Sequence, residues 1–280
     1  MWKIQKPDIT AIDSFDTCIA GIRDDALKNR LKGVRPNIIA AEIAFEAAAS
    51  NADLHEIVSE TDIAGSVTAK EMKNLYDRHM ARDGSRGYAI YDKLMIAAPD
   101  DRCPFCGHRN VSTLDHSLPK SQHPSLAVTP INLIPSCKDC NHTKGNAALI
   151  GKTDQFLNAY FDDAITEVWL SAEIVEGSPA AVRFFVETPD QWNEALSKRV
   201  LHQFTQLELA QLYASQGGRQ LRNMRGALQD FYDAGGEAAV RADLWRRHAS
   251  YSAVEINAWE TALYQAAAAS DWYCDGGFAA

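Results

Sequence analysis

Cys103-Pro-Phe-Cys106 and Cys137-Lys-Asp-Cys140 are two Cys-x-x-Cys pairs with 30 residues between them. Four thiolates at such spacing can close a tetrahedral shell around zinc, with S–Zn bonds of about 2.3 Å. A shell of four protein ligands leaves no open position, so this metal would be structural. Redox chemistry is the competing use of a Cys-x-x-Cys pair, but two pairs flanking a long insert point to zinc. Chemistry would then fall to the polar residues around the insert. These are Asp115-His116, Asn132 and, directly after Cys140, Asn141, His142 and Lys144. An imidazole exchanges protons near neutral pH, and carboxylate and amide oxygens suit hard divalent ions. Each residue also has a plainer use. An Asp-His pair can cap a turn, an asparagine can close one, and a lone lysine is ordinarily solvated.

The elements that must position these residues follow from the pattern around them. Val111 to Leu114 and Ile131 to Ile134 read as short strands, and the segment from about Ser136 as a helix carrying Cys140, Asn141 and Lys144. On an extended strand end, Asp115 and His116 point to opposite sides unless twist brings them into one cleft. Lys120 and His123, in Leu-Pro-Lys-Ser-Gln-His-Pro, lie on the insert loop and are candidate substrate contacts. His142 reads either as a phosphate contact or as a surface histidine.

Taken together, this spacing resembles the HNH endonuclease family, in its variant with a four-cysteine zinc site. The resemblance covers Cys103 to Lys144 and implies a ββα-metal unit. It makes His116 the general base that takes a proton from the attacking water. Asp115 and Asn141 become ligands of a catalytic divalent metal, Mg²⁺ or Mn²⁺, which would stabilise charge on the leaving 3′-oxygen. Asn132 becomes the residue that pins the loop behind the base, and Lys144 the one that approaches the phosphate. Asn141 stands where the family's final residue is commonly histidine, a change that favours a hard ion. The implied substrate is nucleic acid, DNA in the first place. The arrangement of the chain also resembles the HNH subunits of Septu-type bacterial antiphage systems, in which an ATPase partner controls the nuclease. A zinc-stapled binding module, or an inactive HNH scaffold subunit, would share every cysteine without cleaving anything.

The rest of the chain reads as α+β and mainly helical. Residues 1–100 form a helical region: a run after Pro36 rich in strong helix formers, with Ile39 and Ile43 one turn apart, then a capping box Thr68-Ala-Lys-Glu71 opening a helix with Met72, Leu75, Tyr76 and Met80 on one face. That stripe reads as core packing. Residues 101–150 form the zinc-knuckle unit. In 151–280, a hairpin of Thr166–Val175 with Ala181–Glu187 turns through Gly177-Ser-Pro. Helices follow, with Trp192, Leu196, Val200 and Phe204, then Leu221, Met224, Leu228 and Phe231, recurring at helical spacing. Ser252-Ala-Val-Glu255 reads as a further capping box, and Tyr160-Phe161-Asp162 as a brace between the zinc-knuckle unit and the C-terminal half.

Composition sets the surroundings. The 280 residues are 46% hydrophobic and 23% charged, ordinary for a globular protein. No apolar run approaches the roughly 20 residues needed to span a bilayer, and Met1-Trp-Lys-Ile-Gln-Lys-Pro-Asp lacks the features of a signal peptide. A cytoplasmic location is expected, with Cys18 and Cys274 as free thiols. The formal net charge is −9, yet residues 102–145 hold five basic against two acidic side chains, a local +3 that leaves −12 elsewhere. Such a distribution suits an enzyme meeting phosphate at one place. It also suits acidic flanks that dock another protein.

Overall fold

The computed structural model describes residues 3–145 and 150–280. It is a mixed α+β structure whose three small sheets are each an antiparallel pair of strands. Two compact units divide the chain, the boundary falling between Asp163 and Ala164. Among the described residues no helix is long and apolar enough to cross a membrane.

The N-terminal unit begins with α1 (Ala11–Ile19), whose Thr10 cap accepts from the Asp13 N–H. α2 (Asp25–Gly33) starts at Asp24, whose carboxylate accepts from the Leu27 N–H. Side-chain caps of this kind satisfy amide donors that the first helical turn leaves unpaired. α3 (Arg35–Ser50) carries Pro36 in its first turn, where a missing N–H costs nothing. Its buried residues are Ile38, Phe45 and Ala49; Ile39 and Ile43 are 43% and 65% exposed, so the helix is where expected but turned one residue round.

A two-residue strand pair, β1 (Asp62–Ile63) with β2 (Val67–Thr68), leads into α4 (Ala69–Leu75). Both halves of the Thr68–Glu71 capping box are formed. Arg30 of α2 grips Glu71 as well, and with the box it holds that carboxyl down at about 2. The helix then widens into a π-turn over Tyr76–Met80, closed by the Ala81 N–H donating to the Tyr76 carbonyl at 2.9 Å. α5 (Tyr88–Met95) completes the helical layer. Met72, Leu75, Tyr76 and Met80 are all buried, as their spacing predicts.

β3 (Thr113–His116) and β4 (Leu133–Ser136) pair antiparallel, with Asp115 opposite Ile134 and His116 opposite Leu133. Both strands begin two residues later than the expected Val111 and Ile131. Pro130 to Asn132 is taken up by a 3₁₀ turn. Val111 is held back by its N–H to the Asp101 carbonyl, beside an Arg102–Asn110 bridge. The shift places Asp115 and His116 within the paired strand. α6 (Lys138–Lys144) follows.

Leu114, Ala127, Val128 and Leu133 share one core with Phe15, Leu31, Ile38 and Met80. The divisions expected near residues 100 and 150 therefore both lie inside the N-terminal unit. Tyr160 and Phe161 belong to it too: the Tyr160 hydroxyl donates to the Leu133 carbonyl, and the Phe161 ring meets Phe45 edge-on. This corrects their reading as a brace toward the C-terminal half, since their contacts secure β4 and α3.

The C-terminal unit is a hairpin with helices packed on it. β5 (Leu170–Val175) pairs with β6 (Ala181–Val186) in the expected hairpin, the first strand starting at Leu170 and not at Thr166. α7 (Glu194–Gln206) buries Val200 and Phe204. α8 (Leu209–Ser252) kinks at Gly235–Gly236 and lies against β6 at Gly217. A Cβ there would stand 2.6 Å from Val182 Cγ1. α9 (Trp259–Ala269) and the short α10 (Asp271–Cys274) close the unit. The capping box expected at Ser252–Glu255 does not form. Ser252 is the last residue of α8, and α9 starts only at Trp259.

Candidate functional site

The four knuckle cysteines converge. Their sulfurs all lie within 4.8 Å of one another, and all four residues are buried. Two backbone amides point at sulfur: Arg109 N–H to Cys106 Sγ and Cys140 N–H to Cys137 Sγ, each 3.4 Å. Hydrogen bonding among the four sulfurs divides them: bonds from Cys103 foremost, with these amides, draw the Cys106 and Cys137 thiols below the ordinary range, while bonds to their neighbours push Cys103 and Cys140 above it. A thiolate is the form that binds metal. Donor type, number and convergence all fit a structural zinc ion. The knuckles are tied together outside the sulfurs by Arg109, which pairs with Asp139 at 2.8 Å, and the first is closed on itself by Arg102, which donates to the His108 carbonyl.

β3 runs from this cluster to the candidate catalytic residues, and the strand's alternation separates them. Thr113 and Asp115 face α6. The Asn141 amide approaches Thr113 Oγ1 at 3.4 Å and the Leu114 carbonyl at 3.5 Å. Lys144 Nζ stands 3.0 Å from Asp115 Oδ2, with side-chain exposures of 9% and 3%. This is a buried ion pair and not a well-directed hydrogen bond, because Oδ2 otherwise has no donor. Burial pushes the Asp115 carboxyl upward, and the Lys144 charge opposes that. Lys144 also donates to the His116 carbonyl at 2.7 Å, stitching α6 to the end of β3. The cavity beside it measures about 10 Å³, room for one water at most.

Leu114 and His116 face the other way, into the N-terminal helices. His116 Nε2 lies 2.9 Å from the Ala127 carbonyl oxygen. A carbonyl can only accept, so Nε2 carries the proton and the lone pair belongs to Nδ1. The Tyr76 ring meets the imidazole edge-on at 4.6 Å, and Lys120 Nζ lies over the Tyr76 ring, 4.2 Å from its centroid. Burial, aided by the Lys120 and Lys144 charges, lowers the His116 imidazole to about 3. The ring is therefore neutral, in one tautomer, and the residue retains 8% of its surface for solvent.

Asn132 is fully buried behind His116. Its Oδ1 accepts from the Leu118 N–H at 2.8 Å, while Nδ2 donates to the Leu118 and Leu126 carbonyls, each at 3.1 Å. One side chain thus fixes both ends of the insert loop. Lys120 is anchored 3.5 Å from Asp77 of the π-turn. His123 is buried beneath the loop, and burial lowers its imidazole. His142 stays exposed on α6. The structure thus gathers Asp115, Asn141 and Lys144 on one face of β3 and His116, Asn132 and Lys120 around the other, and leaves His123 and His142 apart. Tyr76 and the Ala127 carbonyl escaped the sequence reading. Tyr76 is part of a regular apolar stripe, and a backbone carbonyl carries no side-chain signal.

No family model matches the chain, and no solved structure matches it. Among curated proteins it is similar to protein ea31 of Escherichia phage lambda, with 29% identity over 231 residues, covering 79% of this chain and 78% of that protein. An alignment of that length exceeds either compact unit, so the likeness reaches into both and marks a distant homologue.

Proposed function

We propose that the chain is a metal-dependent HNH-type endonuclease that hydrolyses phosphodiester bonds of DNA. The observation that carries this reading is His116: an imidazole held neutral, its Nε2 proton committed to the Ala127 carbonyl, on a hairpin–helix unit stapled by four cysteines. In this role Nδ1 takes the proton of the attacking water, and Asn132 keeps the loop that supplies the Ala127 carbonyl in place. Tyr76 and Lys120 fix the ring's orientation from the helical side. Asp115 and Asn141 offer hard oxygen donors, and the otherwise unbonded Asp115 Oδ2 already faces a cation. They are the residues that would hold a Mg²⁺ or Mn²⁺ ion, whose charge would favour departure of the 3′-oxygen. Lys144 would then leave the carboxylate and meet the scissile phosphate. The setting proposed is conflict between phage and host, since the similar protein is encoded by a phage.

The buried Asp115–Lys144 pair favours a second reading, a zinc-stapled scaffold whose polar residues serve packing alone. Incubating supercoiled plasmid with the purified protein separates the two. Conversion to nicked or linear DNA with added Mg²⁺ or Mn²⁺, and none without added metal, is expected of the nuclease. Intact plasmid under every metal condition is the scaffold's result.

A further inference from the structure

The N-terminal unit holds a second polar surface, away from the strand that carries His116. An open groove of about 730 Å³ runs between the turn joining α1 to α2 and the segment from Arg78 to Arg86. Arg23 stands on one wall, and Arg78, Arg82 and Arg86 on the other. All four are exposed. None of their guanidinium groups makes an ion pair or hydrogen bond among the described residues, whereas those of Arg30 and Arg35 are both paired. Asp24 and Asp83 also line the groove, but the Asp24 carboxylate is engaged in capping α2.

The groove is built tightly. The Gly87 N–H donates to the His79 carbonyl at 3.0 Å, and a Cβ at Gly87 would stand 2.5 Å from that oxygen and 2.8 Å from Cys18 Sγ. A Cβ at Gly21 would meet His79 Nδ1 at 3.2 Å. Two glycines therefore let the arginine-bearing loop close onto α1, and the positive charges are held there without counter-ions. Four unpaired guanidinium groups along one groove match a row of phosphates better than a single small anion.

The same π-turn that lines this groove carries Tyr76 against His116. Tyr76 and Arg78 are two residues apart on that turn, so their side chains point to different faces: Tyr76 is turned inward to His116 and Arg78 outward into the groove. We propose that this groove binds the phosphodiester backbone of the DNA whose cleavage is assigned to His116, at a stretch flanking the cut. The proposal rests on that nuclease reading for the identity of the ligand. It also explains how a chain of net charge −9 can engage a polyanion.

The test is fluorescence anisotropy with a labelled 30-base-pair duplex in chelator-free buffer with no added Mg²⁺ or Mn²⁺, so that binding is read without cleavage and the zinc stays in place. Full-length protein is compared with an Arg78→Ala/Arg82→Ala/Arg86→Ala variant over a series of salt concentrations. Loss of three phosphate contacts should weaken binding about 10-fold or more near 0.1 M salt and reduce the slope of log K against log salt by about 2.7. The corresponding triple lysine variant should keep most of that slope, and Asp83→Lys should tighten binding. Unchanged melting temperature and zinc content verify that each variant is folded. A triple alanine variant that binds with wild-type affinity and salt slope overturns the proposal, whatever the plasmid assay gives. Weakened binding alongside a wild type that never cuts plasmid would sustain the groove and remove the nuclease.

Discussion

The two ends of the β3–β4 hairpin handle their reactive groups in opposite ways. At the knuckle end, four sulfurs converge within 4.8 Å and receive backbone donors. At the other end, adjacent residues diverge: Asp115 turns to α6 and Lys144, His116 to Tyr76 and Ala127. The first end is arranged to hold an ion as it stands. The second is arranged to hold a neutral imidazole on one face and a neutralised carboxylate on the other. A structural site can be closed, whereas a catalytic one must leave something to exchange, and in the nuclease reading proposed above the Lys144–Asp115 pair would be that element.

Stripping the metal should have the largest effect. A structural zinc contributes about 10 kcal/mol or more of apparent folding free energy. Cys137→Ala, or chelation of the wild type, should therefore abolish the cooperative thermal transition. Metal analysis should give one zinc per chain in the wild type. A folded, zinc-free wild type would break the contrast at the knuckle end.

Next comes Lys144→Met, which leaves the Asp115 carboxylate buried without its cation. Breaking such a pair costs about 3–5 kcal/mol, to be read from urea denaturation. Adding Asp115→Asn should recover part of the loss by removing the stranded charge. Equal stability of wild type and Lys144→Met would show that the pair does not hold in solution. Asn132→Ala removes three hydrogen bonds to the insert loop and should cost about 2–3 kcal/mol. Hydrogen exchange should then rise selectively across residues 117–127.

The smallest effect lies in the helical layer. Glu71→Gln should cost about 1 kcal/mol at neutral pH, the usual worth of a helix cap. The folded Glu71 carboxyl sits at about 2, below its ordinary 4.5, chiefly because Arg30 hydrogen-bonds it. A depressed carboxyl stabilises the fold above its unfolded value, and that contribution fades as pH falls through 4.5 toward 2. The gap between wild type and Glu71→Gln, followed by melting temperature, should close over that interval. A gap that persisted at pH 2 would mean that ionisation of Glu71 has no part in it.

How much could be read from the residues alone depended on how local each signal was. The cysteine pairs and the Thr68–Glu71 box are three-residue spacings, and both formed as spacing requires. The β3–β4 hairpin was foreseen but entered two residues late, because Pro130 starts a 3₁₀ turn and Asp101 holds Val111. At Ser252 the same kind of local signal failed, since the residue that would cap is itself the last residue of α8. Tyr76 on His116 and Lys144 on Asp115 join residues 40 and 29 positions apart, and no periodicity announces such contacts. The arginine groove is a further case: its walls come from two separate segments, and only folding unites their charges.

The central claim is that His116 acts as a base, and single-turnover cleavage of a labelled duplex with saturating Mn²⁺ tests it most directly. His116→Ala, shown to be folded and zinc-loaded, should cut at least about 100-fold more slowly than wild type at every metal concentration, as loss of a general base requires. Asp115→Ala should also be slow, but should gain rate as Mn²⁺ is raised. A folded His116→Ala protein that cleaves at the wild-type rate would contradict the account.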